Sequence, residues 1–133
     1  LSIDNFKNAT AEKGATLVEF ALISVLLILL LAGIIQVGLV LSAKLSLENI
    51  THMGVRYAAS PLNANNDAAT KAYIINQVDT IHLTEGDIII TPATRLPGDS
   101  IHLIITYIYQ VPVTLGVFPA TIKLTATATM MQN

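Results

Sequence analysis

The 133-residue chain contains no cysteine, no tryptophan, and no proline before Pro61. The missing cysteine excludes disulfides, thiolate zinc sites, iron–sulfur clusters and thiol nucleophiles. It assigns no compartment, because a disulfide-free chain is compatible with either side of a membrane. Charge is scarce too: 12% of residues are charged, against about 25% in an ordinary soluble domain. Lys and Arg number 7 and Asp and Glu 9, for a net charge of −2. No basic stripe is available to neutralise phosphates, so no nucleic-acid partner is expected. With four Tyr and three Phe, aromatics are too sparse for an electron-conducting path. What the chain has in excess is hydrophobicity, at 53% of residues and a mean hydropathy of +0.63. The length suits one small domain plus one extra element.

The excess is concentrated. From Phe20 to Ile35 the chain reads FALISVLLILLLAGII, with Ser24 its one clearly polar residue, and no charge occurs between Phe20 and Ala43. A spanning helix takes about 20 apolar residues, and this stretch supplies them. The apolar region of a cleaved signal peptide is shorter, at about 7–15 residues. No polar face recurs at the helical period, so the block is not an amphipathic surface helix. It either spans a membrane or is buried on every side by protein. Lys7 and Lys13 precede it and Lys44 follows. The charge bias is slight and puts the N-terminus on the cytoplasmic side. The preceding residues, LSIDNFKNATAEK, read as a polar leader or a frayed helical extension.

Nothing stops the helix where the apolar block ends, and the pattern turns amphipathic. Leu41, Leu45, Ile50, Met53, Val55 and Tyr57 line one broad side, with Lys44, Glu48, Asn49, His52 and Arg56 mostly on the other. Lys44 and Glu48 are spaced for an i,i+4 pair. One helix is predicted from about Gly14 to Ser60, ending at Ser60–Pro61. Some 46 residues of helix are roughly 70 Å long, more than twice a bilayer core. The organisation expected is a leader-like segment over 1–14, a long helix over 15–60, and a small module over 61–133.

That module reads as α+β. Asp67 is a candidate N-cap for a helix AATKAYIINQVDTI, with Ala68, Ala72, Ile75 and Val78 near one face. Turn signals at Glu85-Gly86-Asp87 and Leu96-Pro97-Gly98-Asp99 each precede a β-branched run. Strands are predicted over Asp87–Thr91, Ser100–Gln110 and Thr121–Met131. In the second, Ile101, Leu103, Ile105, Tyr107 and Tyr109 share a face. In the third, Ile122, Leu124, Ala126, Ala128 and Met130 oppose Thr121, Lys123, Thr125, Thr127 and Thr129. This alternation predicts an antiparallel sheet with one packed and one wet face, its connections being too short for crossover helices. Three short strands make little core alone, so the amphipathic half of the long helix is the expected cover. The connection Val111–Ala120 is apolar for a loop, and either meets a neighbouring molecule or folds over the sheet edge.

The string Lys13-Gly14-Ala15-Thr16-Leu17-Val18-Glu19-Phe20-Ala21-Leu22 resembles the processing site of a type IV-like prepilin. A short charged leader ends in Gly, and Glu19 is the fifth residue after it. With Gly54-Val55-Arg56-Tyr57-Ala58-Ala59 and the closing Leu124–Met130 run, the chain resembles the TadE-like pilins of the tight-adherence pilus family. The resemblance implies cleavage between Gly14 and Ala15 by a prepilin peptidase. It implies insertion in the cytoplasmic membrane, then packing of the helix into an extracellular homo-oligomeric filament with the pilus assembly machinery. Glu19 and Phe20 become assembly residues. The resemblance pairs Glu19 with the new amine of Ala15, on the same or a neighbouring subunit. An unpaired carboxylate in an apolar setting costs several kcal/mol; the other reading leaves Glu19 solvated at the membrane interface.

Gly33, Gln36 and Gly38 are candidate helix-packing residues. The glycines either admit close helix approach, mark a point where the helix loosens, or reflect how common Gly is in membrane helices. Gln36 bonds either a neighbour or its own backbone. No catalytic constellation, metal set or cofactor motif is present: His52, His82 and His102 are scattered, and Asp79, Glu85 and Asp87 match no calcium loop. The sequons at Asn8 and Asn49 fall in no predicted loop. A structural, non-enzymatic role is expected, as a major or minor pilin. The competing reading is a membrane-anchored extracellular binding module that does not polymerise.

Overall fold

With no helix breaker before Pro61, the backbone from Ile3 to Ala58 forms one 56-residue helix, α1, in the computed structural model. The structure describes residues 3–63, 65–78, 81–111 and 120–132, with side chains from Lys13 onward. The helix therefore starts well before Gly14, where the sequence placed its beginning. After Ala58 the chain turns through Ala59 and Ser60, and Pro61–Asn63 form a single 3-10 turn. Helix α2 follows at Asp67–Asn76, then a second 3-10 turn at Glu85–Asp87. Strands β1 (Ile88–Thr91), β2 (Ser100–Gln110) and β3 (Thr121–Met131) complete an antiparallel sheet of order β1-β2-β3. The fold class is α+β, as the sequence predicts.

The chain divides into two compact units, 1–38 and 39–133. In the second, the expected cover of the sheet by the helix is present. Ile101, Leu103 and Ile105 of β2 and Leu124, Ala126 and Ala128 of β3 are buried, on the faces the alternation predicts. Against them lie Leu47, Val55 and Ala58 of α1 and Ile74 of α2. The buried side of α1 matches the predicted one in part: Val55 is buried and Ile50 packs against the core, whereas Leu41, Leu45 and Met53 are exposed. The inward residues are Leu47, Thr51, Gly54, Val55 and Ala58, spaced three and four apart. Alongside Leu47 and Val55 the helix contributes small residues where Ile74 and Leu103 fill the space. Gly54 shows this most sharply: a Cβ there would lie 2.6 Å from Ile74 Cδ1 and 2.8 Å from Leu103 Cδ2. Thr51 is 1% exposed, and its hydroxyl donates to the Leu47 carbonyl at 2.6 Å.

Helix α2 is shorter than predicted and turned differently. Its N-cap is Asn66, whose side chain accepts from the Ala69 N–H at 3.1 Å, and Asp67 is its first helical residue. Thr70 and Ile74 form the buried face and the predicted Ile75 and Val78 pack partly against the core, while Ala68 and Ala72 are exposed. Thr70 tolerates burial because its hydroxyl donates to the Asn66 carbonyl at 3.2 Å. Tyr73 stacks on Tyr57 of α1, with ring centroids 4.3 Å apart and planes within 6°. β1 starts at Ile88, one residue later than predicted, because Asp87 accepts from the Thr84 N–H at 2.9 Å and its hydroxyl at 2.7 Å. The Pro97-Gly98 turn has Gly98 at φ 96°, where a side chain would be strained. Of the apolar Val111–Ala120 connection, positions 112–119 lie outside the described residues.

Candidate membrane and assembly helix

A helix satisfies its own backbone hydrogen bonds, so its side chains decide which solvent it suits. In the first unit those side chains are apolar on all sides and open. Leu17, Phe20 and Leu22 are 69%, 69% and 70% exposed, and Leu26, Ile28, Ile34 and Ile35 all exceed half. Lys13–Ala58 is long and apolar enough to cross a membrane, and none of its most apolar window is buried. Leaving Val, Leu, Ile or Phe in water forgoes about 1.5–3 kcal/mol each. Lipid or other protein must cover such a surface. Ser24, the polar interruption, is satisfied within the helix, donating to the Ala21 carbonyl at 2.8 Å.

Glu19 lies on this open surface between Val18 and Phe20, which are 61% and 69% exposed. Ala15 precedes it by four residues, one helical turn, and so shares its side of the helix. Gly14 is helical, and a Cβ on Gly14, Gly33 or Gly38 would meet nothing within 4 Å. No close approach inside the described chain requires glycine at those three positions. Gln36 stands apart: it is 7% exposed and partnered within the chain, whereas Ile35 and Val37 beside it are open.

The remaining sequence candidates are dispersed. His52, His82 and His102 are exposed, and His102 Nδ1 lies 2.9 Å from the Thr129 hydroxyl across the sheet. Asp79 and the side chains around Asn8 lie outside the described residues. Asn49 sits on α1, and the hydroxyl of its sequon partner Thr51 is buried against the helix backbone. Lys44 and Glu48 form the predicted pair at 3.2 Å, and Lys44 also donates to the Thr125 carbonyl.

The polar centre that the sequence reading missed is Arg95. It is 2% exposed and forms an ion pair with Asp67 at the start of α2, where the helix dipole also favours a carboxylate. Its Nε donates to the Pro92 carbonyl at 2.8 Å. Its backbone N–H donates to Asn65 Oδ1 at 2.7 Å, and Asn65 Nδ2 returns a bond to the Arg95 carbonyl at 3.1 Å. Desolvation by burial holds the guanidinium below its usual pKa. The group ties the β1–β2 loop to α2. The one sequence signal for it was a lone Arg in a proline-flanked loop.

Neither a curated protein nor a solved structure matches the chain. One family model does, over residues 14–56, from the Gly of the prepilin-like motif through the open apolar helix to the start of the buried face. The model is that of the family described as TadE-like protein, and over these residues the chain is similar to that family, as its motif and apolar run predict.

Proposed function

We propose that the chain is a structural pilin-like subunit of a tight-adherence pilus rather than an enzyme. It inserts in the cytoplasmic membrane through the apolar part of α1 with its N-terminus inside. A prepilin peptidase cuts between Gly14 and Ala15. The helix then leaves the bilayer for the core of an extracellular homo-oligomeric filament, either as its shaft subunit or as the minor pilin that initiates it. The observation that carries this reading is the open apolar surface of α1 with Glu19 set in it, on the very residues that match the TadE-like model.

The chemistry of the cut supports a role for Glu19. Cleavage after Gly14 leaves the first N–H groups of the new helix without partners and creates an α-amine with a pKa of about 8. A carboxylate one turn along complements both charges, on its own helix or on a neighbour's. Phe20 beside it offers an open ring to an adjoining helix. Gly33 and Gly38, which have no close neighbour in the described chain, let such helices approach closely.

The test is Glu19→Ala in the expressing cell, followed in membranes and in sheared surface material. Its level in the sheared fraction is expected to fall at least tenfold while the membrane level holds. Mass mapping of the wild-type sheared chain should show a start at Ala15. Wild-type chain that stays wholly in the membrane, with Glu19→Ala indistinguishable from it, would favour the anchored binding module instead.

A further inference from the structure

The β2–β3 ladder fixes which way each backbone group of β3 points. At one end the Val111 N–H donates to the Ala120 carbonyl at 3.0 Å, and at the other the Gln132 N–H donates to the Asp99 carbonyl at 2.9 Å. Both bonds continue the register that opposes Gln110 to Thr121 and Ser100 to Met131. Hydrogen-bonded and non-hydrogen-bonded positions alternate along an antiparallel pair. Even-numbered residues from Ile122 to Met130 therefore bond to β2. Thr121, Lys123, Thr125, Thr127, Thr129 and Met131 direct their N–H and C=O groups away from it. No strand lies beyond β3 among the described residues. One hydrogen bond from those residues reaches this edge, donated by Lys44 Nζ to the Thr125 carbonyl.

Edge strands are ordinarily kept from pairing by shortness, proline, bulges or charge. β3 has 11 residues, pairs with β2 without a bulge along its whole length, and contains no Pro or Gly. Lys123 is its one charge. We propose that the β3 edge pairs antiparallel with β3 of a second copy of this chain, centred on Thr127, joining two three-stranded sheets into one.

The strand itself selects the second copy as occupant. Thr125-Ala126-Thr127-Ala128-Thr129 reads the same in both directions. An antiparallel copy sets Thr125 opposite the other Thr129, Ala126 opposite the other Ala128, and the two Thr127 residues opposite each other. The exposed threonines stay on the wet face and the buried alanines on the covered face. Lys123 falls opposite Met131 of the other copy, so no like charges meet. Lys44 occupies one lone pair of the Thr125 carbonyl and leaves the second free. An unrelated extended peptide would find the same backbone groups without this match of side chains. The pairing uses only the second unit and does not depend on filament formation.

The absence of cysteine makes the test clean. Full-length chains carrying Thr127→Cys are oxidised in their membranes with copper phenanthroline. A disulfide-linked homodimer is expected as the main product, because a disulfide needs Cα atoms about 4.4–6.8 Å apart. Thr125→Cys alone and Thr129→Cys alone should stay monomeric, since like positions then sit four residues, about 13 Å, apart. Co-expressed, those two variants should cross-link to each other. All three positions are exposed, and the near-UV tyrosine signal checks that each variant is folded. Folded Thr127→Cys that remains monomeric overturns the proposal. So does equal cross-linking at all three positions, or a bond from Thr127→Cys only to a different protein.

Discussion

α1 meets two opposite environments along one helix. From Leu17 to Val37 it carries large apolar side chains in every direction and nearly all are open. From Leu47 to Ala58 its inward side is Leu47, Thr51, Gly54, Val55 and Ala58, and it is closed. Around Gly54, where the chain supplies its own partner, Ile74 and Leu103 bring the bulk and the helix brings its smallest residue. Where the described residues supply none, the helix carries the bulk itself, outward. Residue size on a helix thus reports which side of an interface is already present in the same chain.

The sharpest way to separate the two regions is to break the buried Arg95–Asp67 ion pair of the second unit. Asp67→Ala leaves the fully buried Arg95 guanidinium without its carboxylate, and removing one partner of a buried pair costs about 3–5 kcal/mol. Arg95→Ala is expected to cost less, because the Asp67 side chain is partly exposed and rehydrates. The double variant should cost less than the sum of the two. All four tyrosines, at 57, 73, 107 and 109, lie in the second unit, so near-UV circular dichroism of full-length chain in detergent follows its unfolding alone. Equal losses for the two single variants would show that the pair is not desolvated.

Next in size is a matched leucine truncation. Leu103 is fully buried under α1, and Leu103→Ala is expected to cost about 2–5 kcal/mol by the same signal. Leu29 is 46% exposed in the first unit, and Leu29→Ala should leave that midpoint unchanged. A fall for Leu29→Ala would mean that the second unit leans on the apolar half of the helix.

How much of this was legible beforehand follows from what the pattern rules read. Period-2 alternation in Ser100–Gln110 and Thr121–Met131 needed only the strands' own residues, and both faces came out as predicted. The apolar block was legible for the same reason. The buried side of α1 was legible only at Ile50 and Val55, because counting large apolar residues favours Leu41, Leu45 and Met53 over Gly54 and Thr51. What decided it was the shape of Ile74 and Leu103, set by distant parts of the chain. The pattern admits Asp67 as the cap because Asp and Asn serve equally well there. Arg95, 28 residues later, draws the carboxylate into an ion pair and leaves Asn66 to cap. Pairings across a loop leave no trace in local periodicity.

Glycine gives the same contrast with opposite signs. Gly54→Ala pushes a methyl into Ile74 and Leu103, and overpacking of about 1–3 kcal/mol exceeds the helix gain of up to about 1. A net loss of up to about 2 kcal/mol is expected in the tyrosine signal. Gly33→Ala meets nothing within 4 Å and gains only the helix preference, so α1 should show slower amide exchange around it. If Gly33→Ala also lowers recovery in sheared material, the open space at Gly33 belongs to a neighbouring helix.

The smallest expected effect concerns the start of α2, where cap and ion pair sit on adjacent residues. Asn66→Ala removes the bond to the Ala69 N–H but leaves Asp67 and Arg95 in place, and loss of a cap costs about 1 kcal/mol. Asn66→Asp keeps an acceptor at that position and adds a negative charge where the helix dipole favours one, so it should restore most of the loss. The added charge also adjoins Asp67, the ion-pair partner of Arg95. If Asn66→Asp instead falls below Asn66→Ala, the second carboxylate is competing with Asp67 for Arg95, and the ion pair rather than the cap sets the geometry at this end of α2.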